Sequence, residues 1–216
     1  MSLNKLYEIL AGIGLATAVY ANHPAAKAID EPTSRPASLE HRIEGFESYN
    51  SIVDLIETIE GKFEIPDDLL HLVVLAESNG ESEDRFEPQF KKRYIDNGKF
   101  SFDKNSLYQD IFKKLKKQNP SLTKEEFKKQ LATSVGPAQI LYCTAIDYGF
   151  RGSIDELRKP ENNLEYAARV IKRQSRQSNY DWKKVLTAYN KGSIKGNPTR
   201  GHIERGKYYR DLLRKE

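Results

Sequence analysis

Leu69-Leu70-His71-Leu72-Val73-Val74-Leu75-Ala76-Glu77-Ser78-Asn79-Gly80 is the stretch on which the fold turns. Its first eight residues are apolar nearly all the way round, apart from His71, so they predict a central helix enclosed on every side. Pro66 suits a first helical position, Asp67 and Asp68 suit the positive N-terminal end, and Asn79-Gly80 is a stop signal. Glu77 therefore falls at the end of a buried helix. Desolvation and the negative helix C-terminus both raise a carboxyl pKa there. An acid kept protonated near neutral pH is what protonating a glycosidic oxygen requires. A glutamate at a helix end turned toward solvent would be an ordinary surface residue, and the stretch by itself does not separate the two. His71 reads as a core histidine.

Around this helix the pattern stays helical from about Tyr49 to the C-terminus, and the fold class expected is all-α or nearly so. Ser51-Ile-Val-Asp54 resembles a capping box that opens a helix with Ile52, Leu55, Ile56 and Ile59 on one face and Gly61 as its stop. Ser106 to Asn119 is amphipathic, and Thr123-Lys-Glu-Glu126 caps another helix. Gly136-Pro137 opens a helix through Tyr148. Asn162 to Gln177 carries Leu164, Ala167, Ala168, Val170 and Ile171 at helical spacing. Asp181 caps Trp182 to Tyr189, and Ile203 to Arg214 forms the last helix.

The chain has 216 residues, 38% hydrophobic and 31% charged, with a net charge of +4. That suits one folded domain plus a leader and excludes a disordered chain. The excess of positive charge is mild, so no nucleic-acid partner is expected, while a polyanionic wall is compatible with it. Lys5, the apolar stretch Ile9–Tyr20 and Ala26-Lys27-Ala28 read as a secretory signal over residues 1–28, with a soluble helix or an uncleaved membrane-proximal leader as alternatives. Residues 29–45, with Pro32 and Pro36, read as a linker, and 46–216 as the folded domain with a basic insertion at about 91–130. Export to the periplasm or cell surface follows from that leader. Cys143 is the only cysteine, so no internal disulfide forms. His23, His41, His71 and His202 lack metal-ligand spacing, so neither a metal nor another cofactor is expected. A monomer is expected.

Three strings add specificity when taken in order. Val74-Leu75-Ala76-Glu77-Ser78 resembles the Glu-Ser motif of soluble lytic transglycosylases and goose-type lysozymes. Ala132-Thr133-Ser134-Val135-Gly136-Pro137-Ala138-Gln139-Ile140 is similar to their Ser-x-Gly-Leu-Met-Gln-Ile motif. Ala188-Tyr189-Asn190-Lys191-Gly192 is similar to their Ala-Tyr-Asn-Ala-Gly motif. Asn163-Leu164-Glu165-Tyr166-Ala167-Ala168 and Arg85-Phe86-Glu87-Pro88 resemble further pieces of the family. The likeness covers about residues 50–210. Pro137-Ala138 stands where the family has Leu-Met, which puts subsite shape in question, and residues 91–130 have no obvious counterpart.

The resemblance implies a lysozyme-like helical domain that cleaves peptidoglycan glycan strands. Glu77 would be the one catalytic acid/base. Ser134, Gln139, Tyr189, Asn190 and Ser78 would bind or orient the sugar. Glu87 is the candidate for a second acid, although pairing with Arg85 or Arg93 is its other reading. A hydrolytic muramidase on the same bond, and a wall-binding protein without turnover, are the alternatives.

Overall fold

Eight consecutive buried residues, Leu69 to Ala76, lie on a single helix, which requires neighbours on all its sides. The computed structural model describes residues 42–66, 68–98, 101–192 and 200–214. The expected leader, the expected linker through residue 41, and Asp67 lie outside them.

In chain order the helices are α1 (Glu47–Asn50), α2 (Val53–Phe63), α3 (Leu69–Ser78) and α4 (Pro88–Phe90), which widens into π-helical turns over Lys91–Asp96. After a 3₁₀ turn at Phe102–Lys104 come α5 (Ser106–Gln118), α6 (Lys124–Leu131), α7 (Tyr142–Asp147), α8 (Ile154–Arg158), α9 (Pro160–Ser178), α10 (Trp182–Lys191) and α11 (Arg200–Leu213). Arg85–Phe86 (β1), Thr133–Val135 (β2) and Ile140–Leu141 (β3) make one small antiparallel sheet in the order β1-β2-β3. The nearly all-helical class expected from the sequence stands.

The caps explain most helix starts. Thr123 and Glu126 form the expected capping box on α6, and Ser153 and Glu156 form another on α8. Asp181 Oδ1 accepts from the Lys183 and Lys184 amides at the start of α10, and Asn105 does the same for α5. Two expected boundaries differ. Ser51 caps nothing: α2 starts at Val53 with no side-chain cap. The same helix runs through Gly61 to Phe63, which packs on the core, and stops at Glu64 in the left-handed region. A packed aromatic two residues on outweighs the modest helix penalty of one glycine.

The larger correction lies at Gly136-Pro137, which opens a turn and not a helix. Gly136 has φ +69° and Gln139 φ +47°, and these left-handed residues reverse the chain. Val135 then pairs with Ile140 and Ser134 with Leu141, while Arg85 pairs with Ser134 on the other side. Helix α7 begins only at Tyr142. Gly136 has no substitute here, because a Cβ would lie 2.3 Å from Asn163 Nδ2. Fully buried Asn163 braces the turn: its Oδ1 accepts from the Ala138 amide at 2.9 Å and its Nδ2 donates to the Val135 carbonyl at 2.7 Å.

The core has two parts. One gathers α2, α3, α9, α10 and α11 around Val53, Leu70, Val73, Leu164 and Leu186. The other gathers α5 to α8 and the sheet around Phe127, Leu131, Tyr142 and Leu157. Each fully buried Leu, Val or Phe contributes about 1.5–3 kcal/mol. Much of the segment set apart as a basic insertion supplies this second part, through Tyr108, Ile111, Leu115, Leu122 and Phe127. Tyr189 packs against both parts. The C-terminal end of α3, with Glu77, is thereby held where they meet.

Candidate active site

The end of α3 is fixed from four directions. Asn79 takes the left-handed cap and accepts from the Tyr209 hydroxyl at 2.6 Å. Gly80 follows at φ +85°, where a Cβ would sit 2.5 Å from the Tyr49 backbone. Ser78 Oγ donates to the Pro137 carbonyl at 2.5 Å and accepts from the Gly80 amide at 3.0 Å. Its hydroxyl therefore ties the helix end to the β2–β3 turn. Beyond Gly80, the Arg158 guanidinium clasps Asp84, and Gln139 Nε2 donates to the Glu83 carbonyl at 2.6 Å.

These braces set the Glu77 side chain against the wall of a cavity of about 400 Å³, with 5% of the side chain exposed. Burial pushes its carboxyl up to about 7. Arg85 and Arg205 pull the other way, as does a hydrogen bond from the Asn190 side chain, while Glu87 pushes it further up. The acid is therefore protonated through much of the neutral range, the condition for a general acid. His71, on the same helix, is remote from this chemistry: its Nδ1 lies 2.7 Å from the Tyr49 hydroxyl, and its Nε2 faces Glu60.

Ser134, Gln139, Tyr189, Asn190 and Glu87 line the same cavity, whereas Ser78, also expected at the site, does not. Ser134, 2% exposed, lines it from the middle of β2. Gln139 lines it from the turn, and its amide nitrogen is engaged by the Glu83 and Gly136 carbonyls. Tyr189 lines it from α10 and donates its hydroxyl to the Ala138 carbonyl at 2.8 Å. Its phenol is held far above its usual range by desolvation and then by Glu77. Asn190, the next residue, reaches the Glu77 carboxyl itself. Alternation along β1 puts Arg85 and Glu87 on one side of the strand, and both line the cavity. Arg85 Nε donates to Glu87 Oε1 at 2.6 Å, so the second-acid candidate is an ion-paired carboxylate. Among the described residues no group of three or more His, Cys, Asp or Glu side chains could hold a metal ion.

One neighbour of the acid was not singled out from the sequence. His202 on α11 is 3% exposed, and its Nε2 stands 3.5 Å from Glu77 Oε1. Desolvation, then Arg205 and Arg85, depress the imidazole to about 4, so the ring is neutral. Arg205 Nη2 approaches His202 Nδ1 at 3.4 Å, and a guanidinium can only donate. Nδ1 is therefore the acceptor, and Nε2 faces the Glu77 carboxyl without a hydrogen bond to it. The signal was present in sequence: His202, Gly206, Tyr209 and Leu213, all buried, fall on one face of α11.

A dry acid at the end of a central helix, on a cavity walled by a short antiparallel sheet inside a helical domain, is the lysozyme-like arrangement. Residues 103–207 match the transglycosylase SLT domain, that of the lysozyme-like lytic transglycosylases, whose enzymes act on peptidoglycan. No curated protein and no solved structure matches the chain. The matched segment holds Ser134, Gln139, Tyr189 and Asn190 and takes in residues 103–130 of the basic stretch. It begins downstream of Glu77, which joins the other site residues through the geometry described above.

Proposed function

We propose that the chain cleaves the β-1,4 bond between N-acetylmuramic acid and N-acetylglucosamine, with Glu77 as its single acid/base. The observation that carries this reading is the Glu77 carboxyl itself, 5% exposed and raised to about 7, within the cavity that Gln139, Ser134 and Tyr189 also line. Protonated Glu77 gives its proton to the bridging oxygen as that bond to the muramic C1 breaks. The N-acetyl carbonyl oxygen of the same muramic sugar stabilises the cationic carbon. Glu77, now a carboxylate, takes the proton of the muramic C6 hydroxyl, whose oxygen bonds C1 and closes a 1,6-anhydro ring. The acid is thereby regenerated, and no second carboxylate is needed, as in other substrate-assisted glycosidases.

The neighbours of Glu77 suit both halves of this cycle. The Asn190 amide, with Arg85 and Arg205, stabilises the carboxylate that forms in the middle, while the dry wall, His202 included, favours the acid at either end. Glu87, paired with Arg85, is poorly placed to act as a base for water. Export to the compartment that holds the wall belongs to the same proposal and rests on the leader sequence.

Purified peptidoglycan sacculi digested with the parent chain should release anhydro-muramic fragments by mass spectrometry. Glu77→Gln should release none while still sedimenting with the sacculi. Reducing ends heavier by one water would make the enzyme a muramidase. Clearing by Glu77→Gln at the parent rate would remove Glu77 from the mechanism.

A further inference from the structure

Asp147, Tyr108, Thr144 and Gln174 line the same cavity as Glu77, and the reaction just described uses none of them. Asp147 closes α7 and opens onto the cavity. Among the described residues its hydrogen-bond donor is the Tyr108 hydroxyl, at 3.4 Å from each carboxylate oxygen. Arg151 acts on it from a distance, with its guanidinium donating to the Ile146 and Phe150 carbonyls. Gln174 on α9 is 5% exposed, and among the described residues its Oε1 has no hydrogen-bond partner. The groups acting on Asp147 are Tyr108 and Arg151, whereas those acting on Glu77 are Arg85, Arg205, Asn190 and Glu87. The two carboxyls thus occupy separate positions along the cavity.

We infer that Asp147, Gln174 and Tyr108 form a recognition pocket for a primary ammonium group carried by the wall polymer. This rests on the reading that the cavity takes peptidoglycan. The pocket is rich in acceptors and poor in donors. A buried carbonyl oxygen without a donor is costly, as at Gln174, and Asp147, an exposed residue lining the cavity, presents a carboxyl that an incoming cation can reach. A sugar hydroxyl brings one donor; an ammonium brings three, with the charge that a carboxylate complements. The cations that line the cavity, Arg85 and Lys191, belong to the elements that contact Glu77, β1 and the end of α10. Two parts of a wall polymer offer this group: C2 of a de-N-acetylated hexosamine, and the side chain of a diamino acid in a stem peptide.

Calorimetric titration of the full Glu77→Gln chain separates these sources. Glucosamine tetramer against N-acetylglucosamine tetramer reads the sugar. A lysine-bearing disaccharide-peptide against its N-acetylated form reads the peptide. The amine-bearing member of one pair should bind about tenfold tighter, the scale of one charge-assisted hydrogen bond, and that pair names the source. Adding Asp147→Asn should bring the two affinities together. Gln174→Met, which removes the unpartnered acceptor, should narrow the gap and serves if Asp147→Asn does not fold. The inference is overturned if neither pair discriminates, or if discrimination survives the changes at 147 and 174. Sacculus digestion by the parent keeps the two readings apart: no released fragments sinks the cleavage reading, whereas release without amine discrimination sinks only the pocket.

Discussion

Glu77→Gln has a consequence for stability that follows from the burial of its carboxyl. In the unfolded chain the group ionises near its ordinary value of 4.5, and in the folded protein at about 7. Its folded-state pKa is raised, so its contribution to stability is full below 4.5 and is lost as pH rises through 7. Above that, the folded protein carries a charge on a side chain that is 5% exposed. Each pKa unit corresponds to about 1.4 kcal/mol, so the loss amounts to about 3 kcal/mol. Glutamine keeps the shape and cannot ionise. The stability of the variant relative to the parent should therefore rise by about 3 kcal/mol between pH 4 and pH 9. For a domain of this size that is roughly 6–12 °C in melting temperature. Asp147, raised to about 7, and His202, depressed to about 4, titrate in both proteins and cancel in the comparison. Urea unfolding of the two chains at both pH values reads the difference directly. A gap independent of pH, or one that shrinks as pH rises, would refute the claim that the Glu77 carboxyl is held out of water.

Three further outcomes are expected. Arg85→Ala removes the largest charge that lowers the Glu77 pKa and frees Glu87 from its ion pair, so the alkaline limb of the activity profile should move to higher pH, as measured by initial rates on sacculi across pH. His202→Ala removes a buried ring 3.5 Å from the Glu77 carboxyl and admits water there, so the alkaline limb of the activity profile should move to lower pH, measured by initial rates on soluble glycan strands across pH. Asn163→Ala leaves the Val135 carbonyl and the Ala138 amide unpaired in the core and should destabilise by about 2–4 kcal/mol in urea unfolding, with Gly136→Ala at least as severe because its Cβ meets the same side chain.

The legible and the illegible parts of the sequence divide by the length over which a signal repeats. Helix α3 was plain because eight apolar residues in succession admit few structures, and α6 and α10 were plain because a cap sits beside each. The sheet was not, since strands of two or three residues hold less than two periods of alternation. Gly136-Pro137 has the composition of a helix start. What makes it a turn is Asn163, 27 positions further along the chain, filling the space beside the glycine. Ser134, Gln139, Tyr189 and Asn190 could be assembled because ordered motifs carry them together. Asp147 and Gln174 belong to no motif, and only the fold brings them to the cavity.

The chemistry at Glu77 depends on that tertiary return more than on the motif around it. A glutamate at the end of an apolar helix is dry only on the side the helix packs. The remaining sides are closed by Pro137 through Ser78, by Ala138 through Tyr189, and by His202 and Tyr209 from α11. If α11 were removed, the carboxyl would lose His202 and gain water, and its pKa would fall toward that of an ordinary glutamate. The acid function is therefore a property of the C-terminal helix as much as of the residue that carries the proton. Substitutions along the inward face of α11, such as Tyr209→Ala, should lower the alkaline limb of the activity profile before they abolish folding. A limb that stays in place as this face is eroded would mean that the dryness of Glu77 has another source.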